Sequence, residues 1–207
     1  MGYDYTSLVW APYGHNWRNL RRISALEIFS PSRIQMFLAI RADEARLMIK
    51  HLTSGGNDEY RTVDLKAALF GLVLNVIMRM IAGKRYYGEG VKEAEEAAYF
   101  RELVEETFVL GGATNVGDFL PFLRWFGHTE TEKRIGRLTK NRDVFLQRLV
   151  EERRKLMATE RDELRDENGD SSGREQRGQR TTIDVLLSLQ KDEPDYYTDQ
   201  MIRSLAS

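Results

Sequence analysis

Cysteine is absent from this chain of 207 residues, and histidine and proline are scarce, with three and four residues. No disulfide and no cysteine thiolate ligand can therefore come from these residues. The histidines, at positions 15, 51 and 128, are scattered and lack the close spacing of a zinc-binding pair. The net charge of −1 provides no overall field that attracts nucleic acid. The composition thus predicts no metal site built by the chain and no nucleic-acid partner.

Long apolar runs are missing as well. The longest, residues 67–82, is interrupted by Asn75 and Arg79, and it is shorter than the roughly 20 residues that span a bilayer. The opening residues, MGYD, lack the basic segment and apolar run of a signal peptide. We therefore predict that residues 67–82 belong to a buried helix of a soluble core.

Apolar residues instead recur at helical spacing through most of the chain, which predicts a mostly α-helical domain. Helices are expected over about 16–29, 33–53, 64–83, 91–111, 129–157 and 183–190, and from 198 onward. Ser30, before Pro31, is the candidate cap where a helix restarts, and residues 62–64 begin a helix for which Gly83 is the expected stop. One core stripe within 33–53 contains Phe37, Ile40, Glu44, Leu47, Met48 and Leu52. A second core stripe contains Leu65, Leu69, Leu72, Val73, Val76, Ile77 and Met80.

Charged residues concentrate in three places. Acidic residues crowd the start of 91–111 and a charged run covers 151–155, and we interpret both as solvated helix faces. Residues 159–180 are charged, contain glycine and have almost no apolar side chains. Because such a segment cannot bury enough surface to offset its ordering entropy, we predict a flexible loop. This loop lies within a single domain, residues 1–207, rather than between two domains.

The most informative stretch is YGHNWRNLRRI at residues 13–23. Gly14 breaks the preceding extended run, and Asn16 is the candidate N-cap of the helix that follows. In that helix Trp17 and Arg21 lie one turn apart on the same face. An indole N–H and a guanidinium together make a donor pair suited to an anion. On spacing alone a second interpretation stays open, in which the tryptophan is core and the arginines are solvated.

The wider sequence resembles plant microsomal cytochromes P450, with residues 13–23 in the helix C region. The stretches that carry the resemblance keep the family's order: LVWAPYG (8–14), WRNLRRI (17–23), GDFLPFLRW (117–125), KNRDVFL (140–146), IDVLLSLQ (183–190) and PDYYTD (194–199). Together they are similar to the group that contains isoflavone 2′- and 3′-hydroxylases. The resemblance covers essentially the whole chain.

The resemblance implies a mostly α, partial cytochrome P450 fold, running from helix C to the start of helix I. The family's N-terminal anchor and sheet, most of helix I and the haem-thiolate region have no counterpart in this sequence. The last residues, DQMIRSLAS at 199–207, resemble the opening turns of helix I. On this interpretation the chain is an internal fragment that contains no catalytic residue and is inactive alone.

The resemblance also assigns a cofactor site. The family's tryptophan and arginine that bind a haem propionate fall on Trp17 and Arg21. The family's axial cysteine has no counterpart here. Arg18 and Arg22 form a second pair on an adjacent stripe, and they are candidates to face the acidic NADPH–cytochrome P450 reductase.

Candidate residues of the substrate pocket are apolar and fall on segments that border the substrate cavity in the family. They are Val9, Phe108, Leu110 and Val116. Ordinary packing of these side chains is the alternative.

The implied intact enzyme is a haem-thiolate monooxygenase of the endoplasmic reticulum membrane. It hydroxylates a small phenolic or apolar plant metabolite, isoflavonoid-like, with O2 and electrons from the reductase. One alternative is a truncated, non-catalytic helical module that exposes apolar surface and binds partners. Another is a partial gene model of a full-length enzyme, which the flanking genomic sequence would decide.

Overall fold

The computed structural model describes residues 8, 11–53, 62–88, 91–112, 130–166 and 180–206. Within these ranges the chain forms α-helices and one π-helical turn, without a β-strand, so the mostly helical prediction is confirmed. The elements are α1 (His15–Ile23), the π-helical turn (Ser24–Ile28), α2 (Pro31–Met36), α3 (Leu38–Thr53), α4 (Leu65–Ala82), α5 (Ala94–Gly112), α6 (Glu130–Asp166), α7 (Thr182–Asp192) and α8 (Asp199–Ala206).

Several helix ends are fixed by their capping residues. The side chains of Ser30 and Asp64 accept hydrogen bonds from backbone N–H groups three residues on, at 3.4 and 3.0 Å. Thr181 and Asp184 form a reciprocal capping box at the start of α7. Gly83 ends α4 with a φ of 76°, a left-handed conformation that favours glycine. The sequence predicted the starts at Ser30 and Asp64 and the stop at Gly83.

The helix predicted over 16–29 reaches Ile28, although it becomes π-helical after Ile23. Two other predicted helices differ from the structure. The helix predicted over 33–53 breaks at Phe37, which is fully buried. The long helix α6 continues to Asp166 rather than ending near residue 157. Residues 159–166 of the predicted loop are therefore helical, and residues 167–179 lie outside the described ranges. Glutamate, arginine and leucine are strong helix formers, so the lack of an apolar stripe did not end the helix.

The hydrophobic core lies between α5, α6, α7 and α8. Tyr86, in the segment after α4, is buried against Phe100 of α5, with ring centroids 4.4 Å apart. Phe145 of α6 stacks on Phe100 at 5.5 Å and also contacts Tyr86 at 5.9 Å. Such aromatic contacts hold α5 and α6 together more firmly than their buried area alone implies.

Helix α4 packs mainly through small and polar residues together with Met78, so the prediction of its core stripe is wrong for four of its seven members. Its buried residues are Gly71, Asn75, Met78 and Ala82. Four branched apolar residues of the predicted stripe are 42–53% exposed instead: Leu65, Leu69, Val73 and Ile77. Small residues allow α4 to approach its neighbours closely, which leaves the large side chains on the outer face. We call this outer face the α4 apolar face.

By length and composition, α4 is long and apolar enough to cross a membrane. Only 22% of its residues are buried, although core helices of soluble proteins satisfy the same criteria. The prediction that residues 67–82 form a mostly buried helix is therefore wrong for the residues that the structure describes.

A polar network around Asp199 attaches the start of α8 to α6 and α7. The Asp199 carboxylate accepts hydrogen bonds from Arg154 at 2.7 Å, Gln190 at 2.9 Å and Gln147 at 3.2 Å. Burial acts to raise the pKa of Asp199, but the hydrogen bonds from Gln190, Arg154 and Gln147 outweigh it and lower the pKa to about 2. The charged form is therefore the one that stabilises the fold.

Replacing Asp199 with asparagine is expected to lower the free energy of unfolding near neutral pH by about 1 kcal/mol, allowing for solvent screening. Because the folded-state pKa is depressed from 3.8, this contribution is present above about pH 4 and is lost as the pH falls towards 2. Urea unfolding of both proteins across this range measures the difference. A difference that stays constant down to pH 2 would contradict the expectation.

Candidate functional site

Helix α1 carries the predicted anion-binding pair. It begins at His15 with Gly14 as its N-cap residue, so the prediction of Asn16 as N-cap is wrong. The Gly14 carbonyl accepts the first intrahelical hydrogen bond, from the backbone N–H of Arg18 at 3.0 Å. Trp17 and Arg21 consequently both lie within regular helix, one turn apart, as the spacing predicted.

The two side chains stack on each other. The guanidinium carbon of Arg21 lies 5.3 Å from the centroid of the Trp17 ring. The ring of Tyr13 contacts Trp17 as well, with centroids 5.3 Å apart and planes inclined by 49°. Trp17 is half-buried and Arg21 is exposed. A guanidinium in such a cation–π contact keeps N–H donors that an anion can accept from.

The stacked pair fits a carboxylate ligand. No hydrogen bond or ion pair links either side chain to another residue that the structure describes. Leu20 and Ile23, which are 0% and 3% exposed, anchor α1 by its buried side. Among the described residues the helix therefore presents an oriented donor set, whose charge and fork shape suit a carboxylate.

Arg18 and Arg22 are both exposed, as a docking surface for a protein partner requires. They do not act as one pair, because each has its own neighbour. The Arg18 guanidinium carbon lies 5.9 Å from the centroid of the Tyr13 ring. Arg22 donates two hydrogen bonds to the Asn19 side-chain oxygen, at 3.2 and 2.9 Å. Arg18 and Arg22 therefore make this face of α1 basic, while their contacts with Tyr13 and Asn19 restrict the two side chains.

The predicted pocket residues are separated in the structure. Phe108 is 62% exposed near the end of α5, and its ring packs against Phe70 of α4. Leu110 is 7% exposed and belongs to the hydrophobic core, so packing accounts for it. Val9 and Val116 lie outside the described residues. Phe108 is thus the predicted pocket residue that the described structure places at the surface.

A buried carboxylate joins α3 to α4, and sequence reasoning missed its role. Glu44 is 2% exposed, and its Oε1 lies 2.7 Å from both Arg79 Nη1 and Arg85 Nε. Asn75 donates to Oε2 at 3.1 Å, and its own oxygen accepts two backbone N–H groups of the segment after α4. The signal was available, since Glu44 falls in a predicted core stripe and a buried charge requires partners.

A second cluster surrounds Lys84 and was also missed. Its ammonium lies 3.1 Å from Glu93, 3.0 Å from Glu96 and 2.6 Å from Glu152. The hydroxyl of Tyr86 donates to Glu96 at 2.6 Å. Burial acts to lower the pKa of Lys84, but hydrogen bonds to Glu152, Glu96 and Glu93 outweigh it and raise the pKa. The cluster joins α5 and α6 to the segment after α4.

The interpretation of the charged runs as solvated faces is wrong at Glu96, Glu152 and Arg153, whereas Glu95, Glu102 and most other members of the two runs are exposed as predicted. The Glu96 side chain is only 10% exposed. In the run 151–155, Glu152 binds Lys84, and Arg153 forms a two-point contact with Asp184 at 2.8 and 2.5 Å. These charges hold neighbouring helices together, because their partners lie on other elements that spacing along one helix does not reveal.

Comparison with known proteins matches nearly the whole chain to one family. The cytochrome P450 family model matches residues 3–207. Cytochrome P450 81Q32 of Catharanthus roseus is 42% identical over 205 residues, and isoflavone 2′-hydroxylase of Glycyrrhiza echinata is 40% identical over 206. The (+)-piperitol/(+)-sesamin synthase CYP81Q2 of Sesamum radiatum is 40% identical over 207 residues. Each alignment covers 99% of this chain but only 37–38% of the relative's length.

The helical fold of the described residues and the family match from residue 3 to residue 207 agree with each other. The chain belongs to the cytochrome P450 family and is similar to plant members that include isoflavone 2′-hydroxylases.

Proposed function

We propose that this chain is the central part of a haem-thiolate monooxygenase that inserts one oxygen atom of O2 into a small phenolic or apolar plant metabolite of isoflavonoid type. The observation that carries the proposal is the stacked Trp17–Arg21 pair within a chain of this family. Relatives named isoflavone 2′-hydroxylase and sesamin synthase support the substrate class. Haem would supply the chemistry of O2 activation, and Trp17 and Arg21 are the residues of this chain that would hold it.

The role of α1 in this proposal is to hold the cofactor by a carboxylate arm. Arg21 donates charge-assisted hydrogen bonds to the propionate, and the Trp17 N–H donates another. Pairing with the guanidinium offsets the cost of removing a carboxylate from water. Because the buried side chains of Leu20 and Ile23 anchor α1, the donor groups of Trp17 and Arg21 are oriented before the ligand binds.

The remaining assignments concern the substrate and the electron donor. Phe108 lines the substrate cavity near the end of α5. Arg18 and Arg22 face the acidic surface of NADPH–cytochrome P450 reductase, where complementary charge raises the rate of encounter more than the affinity. The intact protein resides on the endoplasmic reticulum membrane.

The test is expression of the full-length protein that carries this segment, together with the reductase. We expect a thiolate-type carbon monoxide difference band and NADPH-dependent hydroxylation of an isoflavone, with one 18O atom incorporated from 18O2. Residues 1–207 alone serve as the control and should show neither band nor turnover. Absence of the thiolate-type band from the full-length protein would overturn the assignment.

A helical interaction module is the second candidate function, and the α4 apolar face favours it. Its four large side chains are exposed to solvent among the described residues, and such surfaces bind partners. Purified residues 1–207 would then unfold in one sharp, cooperative transition as a monomer. An incomplete enzyme fragment would instead unfold over a broad range or self-associate. Unfolding of purified residues 1–207 therefore distinguishes the two candidate functions.

A further inference from the structure

Ring contacts connect the exposed end of α5 to the core of the molecule. Phe108 lies edge to face with Phe70 of α4, with ring centroids 5.5 Å apart and planes at 66°. Phe70 meets Tyr87 at 6.2 Å and 87°, and Tyr87 meets Phe100 at 6.4 Å and 79°. Phe100 then stacks on Phe145 of α6. The exposed ring of Phe108 is therefore supported from another helix.

Tyr87 is a fixed support for this chain of rings. A Cβ on Gly71 would lie 3.2 Å from the Tyr87 Cβ, so a larger residue there would push the tyrosine away from α4. The guanidinium carbon of Arg101 lies 5.8 Å from the centroid of the Tyr87 ring. The backbone N–H of Tyr87 donates to the Asn75 side chain at 3.0 Å. Phe70 thus lies between a well-held tyrosine and the exposed Phe108.

Phe108 itself has little support from its own helix. It is 62% exposed, and the next residue, Val109, is 55% exposed. Edge-to-face contact restricts an aromatic ring to a few orientations, and here the partner in that contact is Phe70.

We infer that Phe70 is a positioning residue that holds the ring of Phe108 in one orientation and thereby determines which substrates the cavity accepts. This inference rests on the proposed function, in which Phe108 lines that cavity. Phe70 acts through Phe108, so its removal changes substrate binding and product pattern more than the chemical step. Loss of one aromatic contact corresponds to roughly a two- to tenfold change in binding.

The experiment compares Phe70→Ala and Phe70→Leu with the wild-type full-length holoenzyme. Both variants should raise KM and the Kd from substrate-induced haem spectral shifts by about two- to tenfold. Product ratios should shift, while haem content and kcat stay near the wild-type values. Leu69→Ala is the control, because Leu69 is a neighbouring residue of similar exposure that carries no ring. If the alanine variant fails to load haem, the leucine variant decides, since it keeps the volume and lacks the ring.

A double-mutant cycle separates positioning from general packing. Because Phe70 acts through Phe108, Phe70→Ala should have little further effect on KM in a Phe108→Ala background. An equal effect in both backgrounds, or unchanged KM and product ratio in Phe70→Leu, would overturn the inference alone. A wild-type holoenzyme without the thiolate-type band would overturn the proposed function as well, so the two failures are distinguishable.

Discussion

Replacing Arg21 with glutamine in the full-length protein is expected to weaken haem retention about 10- to 100-fold, the loss typical of hydrogen bonds to a charged group. Glutamine can still donate a hydrogen bond, but it has neither the positive charge nor the two-point fork of a guanidinium. The stack on Trp17, at 5.3 Å, would be lost with it. The rate of haem transfer to a haem-scavenging protein measures the effect directly.

Matched variants on the same helix show whether the effect is specific. Arg18→Gln removes another exposed arginine of α1, three residues before Arg21. Haem retention in this variant should stay close to the wild-type value. Trp17→Phe keeps a ring for the stack but removes the indole N–H, so it should have an intermediate effect. If a protein with both Arg21→Gln and Trp17→Phe keeps haem as tightly as wild type, the propionate site is assigned to the wrong residues.

Glu44→Gln is expected to lower the free energy of unfolding by about 2–4 kcal/mol, because breaking a buried ion cluster leaves the remaining charges uncompensated. Glu44 neutralises two guanidinium groups, each 2.7 Å from the same carboxylate oxygen. The side chains of Arg79 and Arg85 are 23% and 22% exposed, so water screens part of the loss. Urea unfolding followed by circular dichroism measures the change.

The control for this prediction is Glu102→Gln, which removes an exposed carboxylate from α5. Its effect should stay within about 0.5 kcal/mol, as for most surface substitutions. A Glu44→Gln protein as stable as the Glu102→Gln protein would contradict a stabilising role for the cluster.

Features set by neighbouring residues were predictable from the sequence. Trp17 and Arg21 lie within one helical turn, so their spacing was enough to bring them together. The caps at Ser30 and Asp64 and the stop at Gly83 depend on two or three consecutive residues. The Asn16 cap failed because a glycine carbonyl can begin a helix without any side-chain contribution.

Features that join distant elements were not predictable in the same way. Glu44 and Arg79 are 35 residues apart, and nothing in the local pattern names one as the partner of the other. Periodicity showed that α4 is apolar, but not that Asn75 would be buried while Ile77 is exposed. Which face of a helix is covered depends on its neighbours, and that information is not contained in one helix's sequence.

The α4 apolar face has a consequence for synthesis of the protein. After α4 leaves the ribosome, its four branched aliphatic side chains have no described neighbour to cover them. Transiently exposed apolar surface of this kind makes nascent chains prone to aggregate and dependent on chaperones. Chaperone supply is therefore expected to affect how much of this protein a recombinant host produces in soluble form.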